Sequence, residues 1–271
     1  PGRFDRQIEI MLPDKNARKE ILNLYISKMN ASNDIDLEEI ADLTVYFSGA
    51  MIENLINEAA LLAIRENSEQ INNYHIQKSY LEILAGAEKK NVSENTKQKI
   101  TTSYHEAGHA FVSKYLMPEN KIMRVSVIPT SKGAGGYTLS IPEGTEVVTK
   151  TRIRNQLAVL MAGRVAEEVF FGKENVTTGA QNDIERSTDL AVDYISQYGM
   201  DENSVFVNFR VLSEKLNIPL TSVEQSVKKL TRGIYEEVVE LIINNKEKVY
   251  KIANLLIEKE VIFDKDLNEL L

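Results

Sequence analysis

The sequence predicts a mainly α-helical chain, with a small all-helical domain over residues 13–88 and a mostly helical domain with a small β-sheet over residues 92–271. Three observations lead there. Apolar residues recur at intervals of three and four through most of the chain. Asp, Ser and Thr stand where helix caps belong. Strand-like patterning is confined to one pair of short segments after residue 120. At 271 residues and 43% hydrophobic, the chain can bury sizeable cores in one or two domains.

Pro13-Asp14 opens the first predicted helix, which runs through Ile21, Leu22, Leu24, Tyr25 and Met29. Asp36 with Glu39 forms a capping-box pattern for the second. Ser48 caps a third through Ile52, Leu55, Ile56, Ala59, Leu62 and Ala63, and a fourth spans about Tyr74 to Ala87. The polar stretch Glu88 to Gln98 reads as a linker. A helix follows in which Ile100, Tyr104, Ala107, Gly108, Phe111, Val112, Tyr115 and Leu116 recur at helical intervals. The strand pair is placed at Met123 to Pro129 and Gly136 to Ile141, and two more helices at about Thr151–Phe171 and Gln181–Tyr198. After a loop near residues 200–220, Thr221 and Glu224 form another capping box. Val223, Val227, Leu230, Ile234, Val238 and Leu241 then make the stripe of a bundle core, breaking near Asn244-Asn245 into a last helix through Val249, Ile252, Leu255 and Leu256.

Two of the three histidines sit in His105-Glu106-Ala107-Gly108-His109, an HExxH zinc pattern. On a helix, residues four apart share a face, so both imidazoles can reach one metal. Glu106 lies one residue further around the helix, close enough to take a proton from an activated water, which makes it the candidate general base. The competing reading is a core helix that happens to carry these three residues.

A catalytic zinc needs three protein ligands and an open position, so one ligand remains to be found. His75 lies in the polar run Asn72-Asn73-Tyr74-His75 and reads as a solvated residue of a loop or helix start. Glu167 and Glu168 follow at a suitable separation, but sit within a helix ending at Gly172, where an exposed charged face is the alternative. Asp183 opens a helix carrying Ile184, Ala191, Val192 and Ile195 and stopping at Gly199. A helix N-terminus favours the ionised carboxylate that a metal requires, although a first-turn aspartate also stabilises a helix without any metal. Asp183 therefore ranks first and Glu168 second.

Three blocks carry a resemblance. They are His105 to Ala110, Ala162-Gly163-Arg164-Val165-Ala166-Glu167-Glu168, and Val176-Thr177-Thr178-Gly179-Ala180-Gln181-Asn182-Asp183-Ile184-Glu185-Arg186. In this order they resemble the FtsH family of ATP-dependent zinc metalloproteases. Pro1 to Gln7 looks like the end of that family's AAA+ ATPase core, leaving residues 1–12 as its tail. Phe47-Ser48-Gly49-Ala50 with Asn57-Glu58-Ala59-Ala60 looks like its helical lid, at 13–88, ahead of a zincin-type peptidase domain at 92–271.

The resemblance implies Zn²⁺ held by His105, His109 and Asp183. It makes Arg3 an arginine finger acting on a neighbouring subunit's nucleotide. It implies a homo-oligomer, a hexamer in the intact protein, that uses ATP and Mg²⁺ and degrades unfolded or misassembled proteins. That protein would be anchored in a bacterial inner or plasma membrane, or an organelle membrane, with these domains on the cytoplasmic, matrix or stromal side. The different-class alternative is a non-catalytic helical oligomerisation module with a structural or vestigial metal site.

Other features narrow the range. A net charge of −8 argues against a general nucleic-acid binder, and no cysteine is available for a thiolate site. No apolar run reaches the length of a membrane span, so the chain as given is expected to be soluble, a fragment joined to its membrane by a missing N-terminal segment. Lys132-Gly133-Ala134-Gly135-Gly136-Tyr137 lacks the ending of a phosphate loop and reads as a hairpin turn. If the strand at Gly136, Tyr137, Thr138 and Leu139 edges the sheet beside the zinc, it would bind an extended peptide through main-chain hydrogen bonds.

Overall fold

The computed structural model describes residues 10–89, 96–142, 148–201, 206–216 and 221–271. Arg3 and the rest of residues 1–9 lie outside the described residues, as do most of the expected linker and the side chain of Thr221. The chain divides into two compact units, the first ending at Glu88 and the second starting at Lys89.

The first unit is four helices, each started by the residue its sequence supplies. Helix α1 (Lys15–Ile26) begins at Asp14, which accepts from the Ala17 amide at 2.8 Å. Asp36 accepts from Glu38 and Glu39 amides to start α2 (Leu37–Leu43), and Ser48 accepts from Met51 to start α3 (Gly49–Arg65). Glu39 does not close a capping box. Its carboxylate takes hydrogen bonds at 3.1 Å from Asn73 and Gln77 of α4 (Asn73–Ala85), tying α2 to α4. Leu22, Ile40, Ile52, Leu55, Ile56 and Ile76 form the sealed interior. His75 is buried, against expectation, because it is the third residue of α4 and its Nδ1 accepts from the Asn72 amide at 3.1 Å in a reciprocal cap.

The second unit is organised around α5 (Thr96–Leu116), which is buried at every position from Ser103 to Ser113. It starts two residues before the expected linker ends. Helix α6 (Lys150–Phe171) lies along one side of it and α10 (Lys246–Lys259) along another. The close approach of α5 to α6 depends on Gly108, where a Cβ would fall 2.5 Å from the Ala162 carbonyl and 2.8 Å from the Ala166 methyl. Helices α7 (Gln181–Ser196) and α9 (Thr221–Asn244) complete the bundle, with Val223, Ile234, Val238 and Ile242 of α9 buried in its core.

The strands β1 (Lys121–Ser126) and β2 (Tyr137–Ile141) pair antiparallel, with Val125 opposite Thr138 and Ser126 opposite Tyr137. An irregularity between Ile122 and Arg124 shifts the register. A two-residue strand β3 (Val261–Ile262) pairs with the other side of β1, so the order β2-β1-β3 leaves β2 at the edge. Two helices fall where none was expected. These are α8 (Phe209–Leu216), inside the predicted 200–220 loop, and α11 (Asp264–Leu270) at the C-terminal end. Among the described residues no helix is long and apolar enough to cross a membrane.

Candidate metal centre

Helix α5 places His105 and His109 one turn apart on the same face. Across from them, a pair of short 3₁₀ turns at Lys173–Asn175 and Thr178–Ala180 reverses the chain after α6. That reversal brings Asp183, in the first turn of α7, to the two imidazoles. His105 Nε2 lies 3.1 Å from His109 Nε2, and Asp183 Oδ2 lies 3.3 Å from each. Among the described residues, these three form the group that could hold a metal ion.

The hydrogen bonds behind the imidazoles fix what their Nε2 atoms present. His109 Nδ1 must donate to the Val159 carbonyl, 2.7 Å away, because a carbonyl only accepts. His105 Nδ1 faces Glu167 Oε1 at 2.6 Å, and that carboxylate also accepts from the Thr177 amide at 2.6 Å and its hydroxyl at 3.2 Å. With both Nδ1 protonated, each neutral ring turns a lone pair outward from Nε2. Two imidazole lone pairs and a carboxylate oxygen can then converge on one cation, whether a proton shared with Asp183 or a metal ion.

The ionisation of the cluster follows the same logic. Burial opposes charge on His105, yet its hydrogen bonds to Asp183 and Glu167 outweigh this and push it up to about 10. Burial would raise Asp183, but the two histidines hold it well below the usual carboxylate range. Glu167 is likewise held low, against burial, by His105 and Thr177. The site is built to keep a positive charge at its centre. A metal cation satisfies all three donors at once, and the nitrogen-nitrogen-oxygen set suits Zn²⁺.

Gly163 lets α6 approach the two imidazoles closely. A Cβ there would fall 2.5 Å from His109 Nε2 and closer still to His105 Nε2. The residues present therefore fit a zinc ion in donor type and in mutual distance.

Glu106 is buried beside this cluster, and burial pushes its carboxyl above the usual range, against the pull of the two histidines and a hydrogen bond from Thr138. A raised pKa makes a carboxylate a better proton acceptor. Thr138 Oγ1 donates to Glu106 Oε2 at 2.8 Å, so β2 orients the acid. Gly136, just before β2, lets the strand approach. A Cβ there would come within 2.7 Å of the Ser126 carbonyl and 3.0 Å of Glu106 Oε1.

Several sequence expectations need relocating. Glu168, the second-ranked ligand, does not join the cluster, and its Oε2 accepts from the Tyr235 hydroxyl at 2.6 Å. Glu167 is neither a cluster member nor an exposed charge. It is 1% exposed and orients His105. Sequence reasoning missed Gly163, Val159, Thr177 and the bond from Thr138 to Glu106. One signal was present, since a glycine inside a helix costs about 1 kcal/mol relative to alanine and so asks for a reason.

An HExxH helix whose two histidines converge with a carboxylate from a second helix, with a buried glutamate alongside, is the site of a metallopeptidase. Comparison with known proteins agrees and narrows the class. The sequence model of peptidase family M41 matches residues 91–270, and that of the AAA+ lid domain matches residues 34–78. The chain belongs to peptidase family M41. It is 43% identical over 273 residues to the ATP-dependent zinc metalloprotease FtsH of Lachnoclostridium phytofermentans, covering 100% of this chain and 46% of that protein. Identity is 41% over 272 residues with the ATP-dependent zinc metalloprotease FtsH 1 of Alkaliphilus metalliredigens, with the same coverage. It is 34% over 270 residues with the mitochondrial inner membrane m-AAA protease component yta12 of Schizosaccharomyces pombe, covering 97% of this chain and 35% of that one. The chain spans less than half the length of each of these relatives.

Proposed function

We propose that this chain is the zinc-dependent endopeptidase portion of an ATP-dependent, membrane-anchored protease. The observation that carries the reading is the convergence of His105 Nε2, His109 Nε2 and Asp183 Oδ2, which the absence of a side chain at Gly163 permits. Those three residues would hold Zn²⁺. When bound, zinc supplies Lewis-acid activation of water and of the scissile carbonyl. Glu106 removes the proton from the attacking water and returns it to the leaving amine, with Thr138 holding its carboxylate in position. Glu167 and the Val159 carbonyl keep the histidine lone pairs aimed inward. Gly136 together with Tyr137, Thr138 and Leu139 of the edge strand β2 binds an extended substrate through the main chain, which suits a peptidase that takes many sequences.

The names of the relatives support the larger setting. In the intact protein, residues 1–12 end an ATPase core, residues 13–88 form its lid and residues 92–271 form the peptidase. The assembly is a hexamer that spends ATP with Mg²⁺ to deliver unfolded proteins to the zinc site, with Arg3 reaching a neighbour's nucleotide.

The role of Glu106 is tested by Glu106→Gln. The variant keeps its zinc and loses ~10²- to 10⁴-fold in cleavage of a denatured protein, the worth of general-base catalysis. Loss of zinc, or cleavage at the wild-type rate, would show that Glu106 has another role.

A further inference from the structure

Between the end of α6 and the start of α7 the chain reverses through the two 3₁₀ turns, and Asp183 meets the imidazoles only if that reversal is held in place. Short 3₁₀ turns have poor hydrogen-bond geometry and do little to fix their own position. A metal site tolerates only about 0.5 Å of misplacement in the groups that hold the ion, so the turns need an anchor from outside. Helix α6 supplies it. Arg164 and Glu167, one turn apart on the same side of α6, grip opposite ends of Thr177. Arg164 Nη2 donates to the Thr177 carbonyl at 2.6 Å, and the Thr177 amide donates to Glu167 Oε2 at 2.6 Å. The Thr177 hydroxyl donates at 3.2 Å to Glu167 Oε1, the oxygen that faces His105 Nδ1, and accepts from the Gly179 amide at 3.2 Å. Each polar group of Thr177 is thus engaged. One direction leads through Glu167 to the His105 ring, and the other through Gly179 into the turn that delivers Asp183.

We propose that Arg164 is a positioning residue of the metal centre: acting through Thr177, it sets the angle of the His105 ring and the place of Asp183. The proposal rests on the metal-centre reading above and adds to it a residue that works on the cluster through another. Glu167 holds Thr177 from its amide and hydroxyl, whereas the carbonyl, from which the chain continues to Asp183, is held by Arg164. That contact is one hydrogen bond to one oxygen, so a lysine ammonium can stand in for it, as it could not for a bidentate contact.

The test reads the arrangement with and without metal in the 271-residue chain, with circular dichroism to select folded variants. Arg164→Met keeps the stem and removes the donors, and Arg164→Gln takes its place if the first does not fold. Zinc affinity should fall about 10-fold, the lower end of the loss when a group behind a metal-bound histidine is removed. Arg164→Lys should recover most of it. Thr177→Val should show a similar loss and Thr177→Ser almost none. Combined with Glu167→Gln, the loss should fall short of the product of the separate losses by about 3-fold or more, as coupled residues do. Without metal, in the chain carrying ¹⁵N-histidine, the signal of the His105 Nδ1 proton, assigned by its loss in His105→Gln, should move in Arg164→Met and return in Arg164→Lys. Unchanged zinc affinity in Arg164→Met, or losses that multiply fully with those of Glu167→Gln, would overturn the proposal. If the wild type itself takes up no zinc, the metal-centre reading fails, and the His105 signal still decides the clamp: movement supports it and a fixed signal overturns it.

Discussion

Gly163 shows how much of the metal centre depends on a residue with no side chain. A methyl group there would collide with both Nε2 atoms and displace the imidazoles that would hold a cation. Gly163→Ala is therefore expected to lose zinc affinity, even though alanine favours the helix by ~1 kcal/mol. Metal analysis of the purified variant beside a thermal melt would check this. Undiminished zinc content would show that the ion sits away from α6. Glu167 teaches a related lesson. The sequence marked it as a candidate ligand, and the fold placed it one bond further out, holding His105. His105, Glu106 and His109 were legible because an HExxH helix fixes its own geometry over a single turn, whereas Asp183, on α7, was ranked from its place at a helix start and from the family resemblance. Glu167, Val159 and Thr138 were not, because their roles depend on which elements α5 meets.

Among elements, α5 is buried well beyond what its apolar periodicity indicates. Its apolar stripe is visible in the sequence, but it is buried on all sides because α6, α10 and the sheet surround it. The capped helices of the first unit were legible for the opposite reason, since Asp14, Asp36 and Ser48 act on amides two or three residues away. Helix α8 has a strongly amphipathic sequence but is only eight residues long and buries none of them, and β3 exists through its pairing with β1.

The C-terminal element α11 is fastened by Asp264, which accepts from Lys114 Nζ at 2.8 Å, the Ile122 amide at 3.2 Å and Asn268 at 2.9 Å, joining α5, β1 and α11. Burial would raise its pKa, but these donors win and lower it. A carboxylate with a depressed folded pKa contributes stability that is full above its unfolded value, near 4, and is lost as pH falls through the folded one. Asp264→Asn should cost about 1–2 kcal/mol at neutral pH, a charged hydrogen bond discounted for partial exposure. The gap to wild type should narrow below about pH 4. Denaturant melts at pH 7 and pH 3 would measure it, and a gap independent of pH would show that Lys114 and Asp264 are not coupled.

At the scale of the molecule, the central claim is that one three-residue metal centre, assembled from two helices nearly eighty residues apart in sequence, performs peptide cleavage. The chain carries no phosphate-loop sequence, so its own chemistry is expected to need no nucleotide and to be limited to polypeptides already unfolded. Asp183 is the member on which the claim turns, because it comes from outside the HExxH helix. Removing its charge also removes a favourable interaction with the α7 N-terminus, worth ~0.3–1 kcal/mol, which folding should survive. The most direct measurement is a zinc titration of the wild type, Asp183→Asn and Glu168→Gln, with circular dichroism to confirm folding and cleavage of a denatured protein without ATP. The account predicts tight zinc binding and cleavage in the wild type and Glu168→Gln, and weakened zinc binding with no cleavage in Asp183→Asn. Normal zinc binding by Asp183→Asn, with its loss in Glu168→Gln, would contradict it and move the third ligand onto α6.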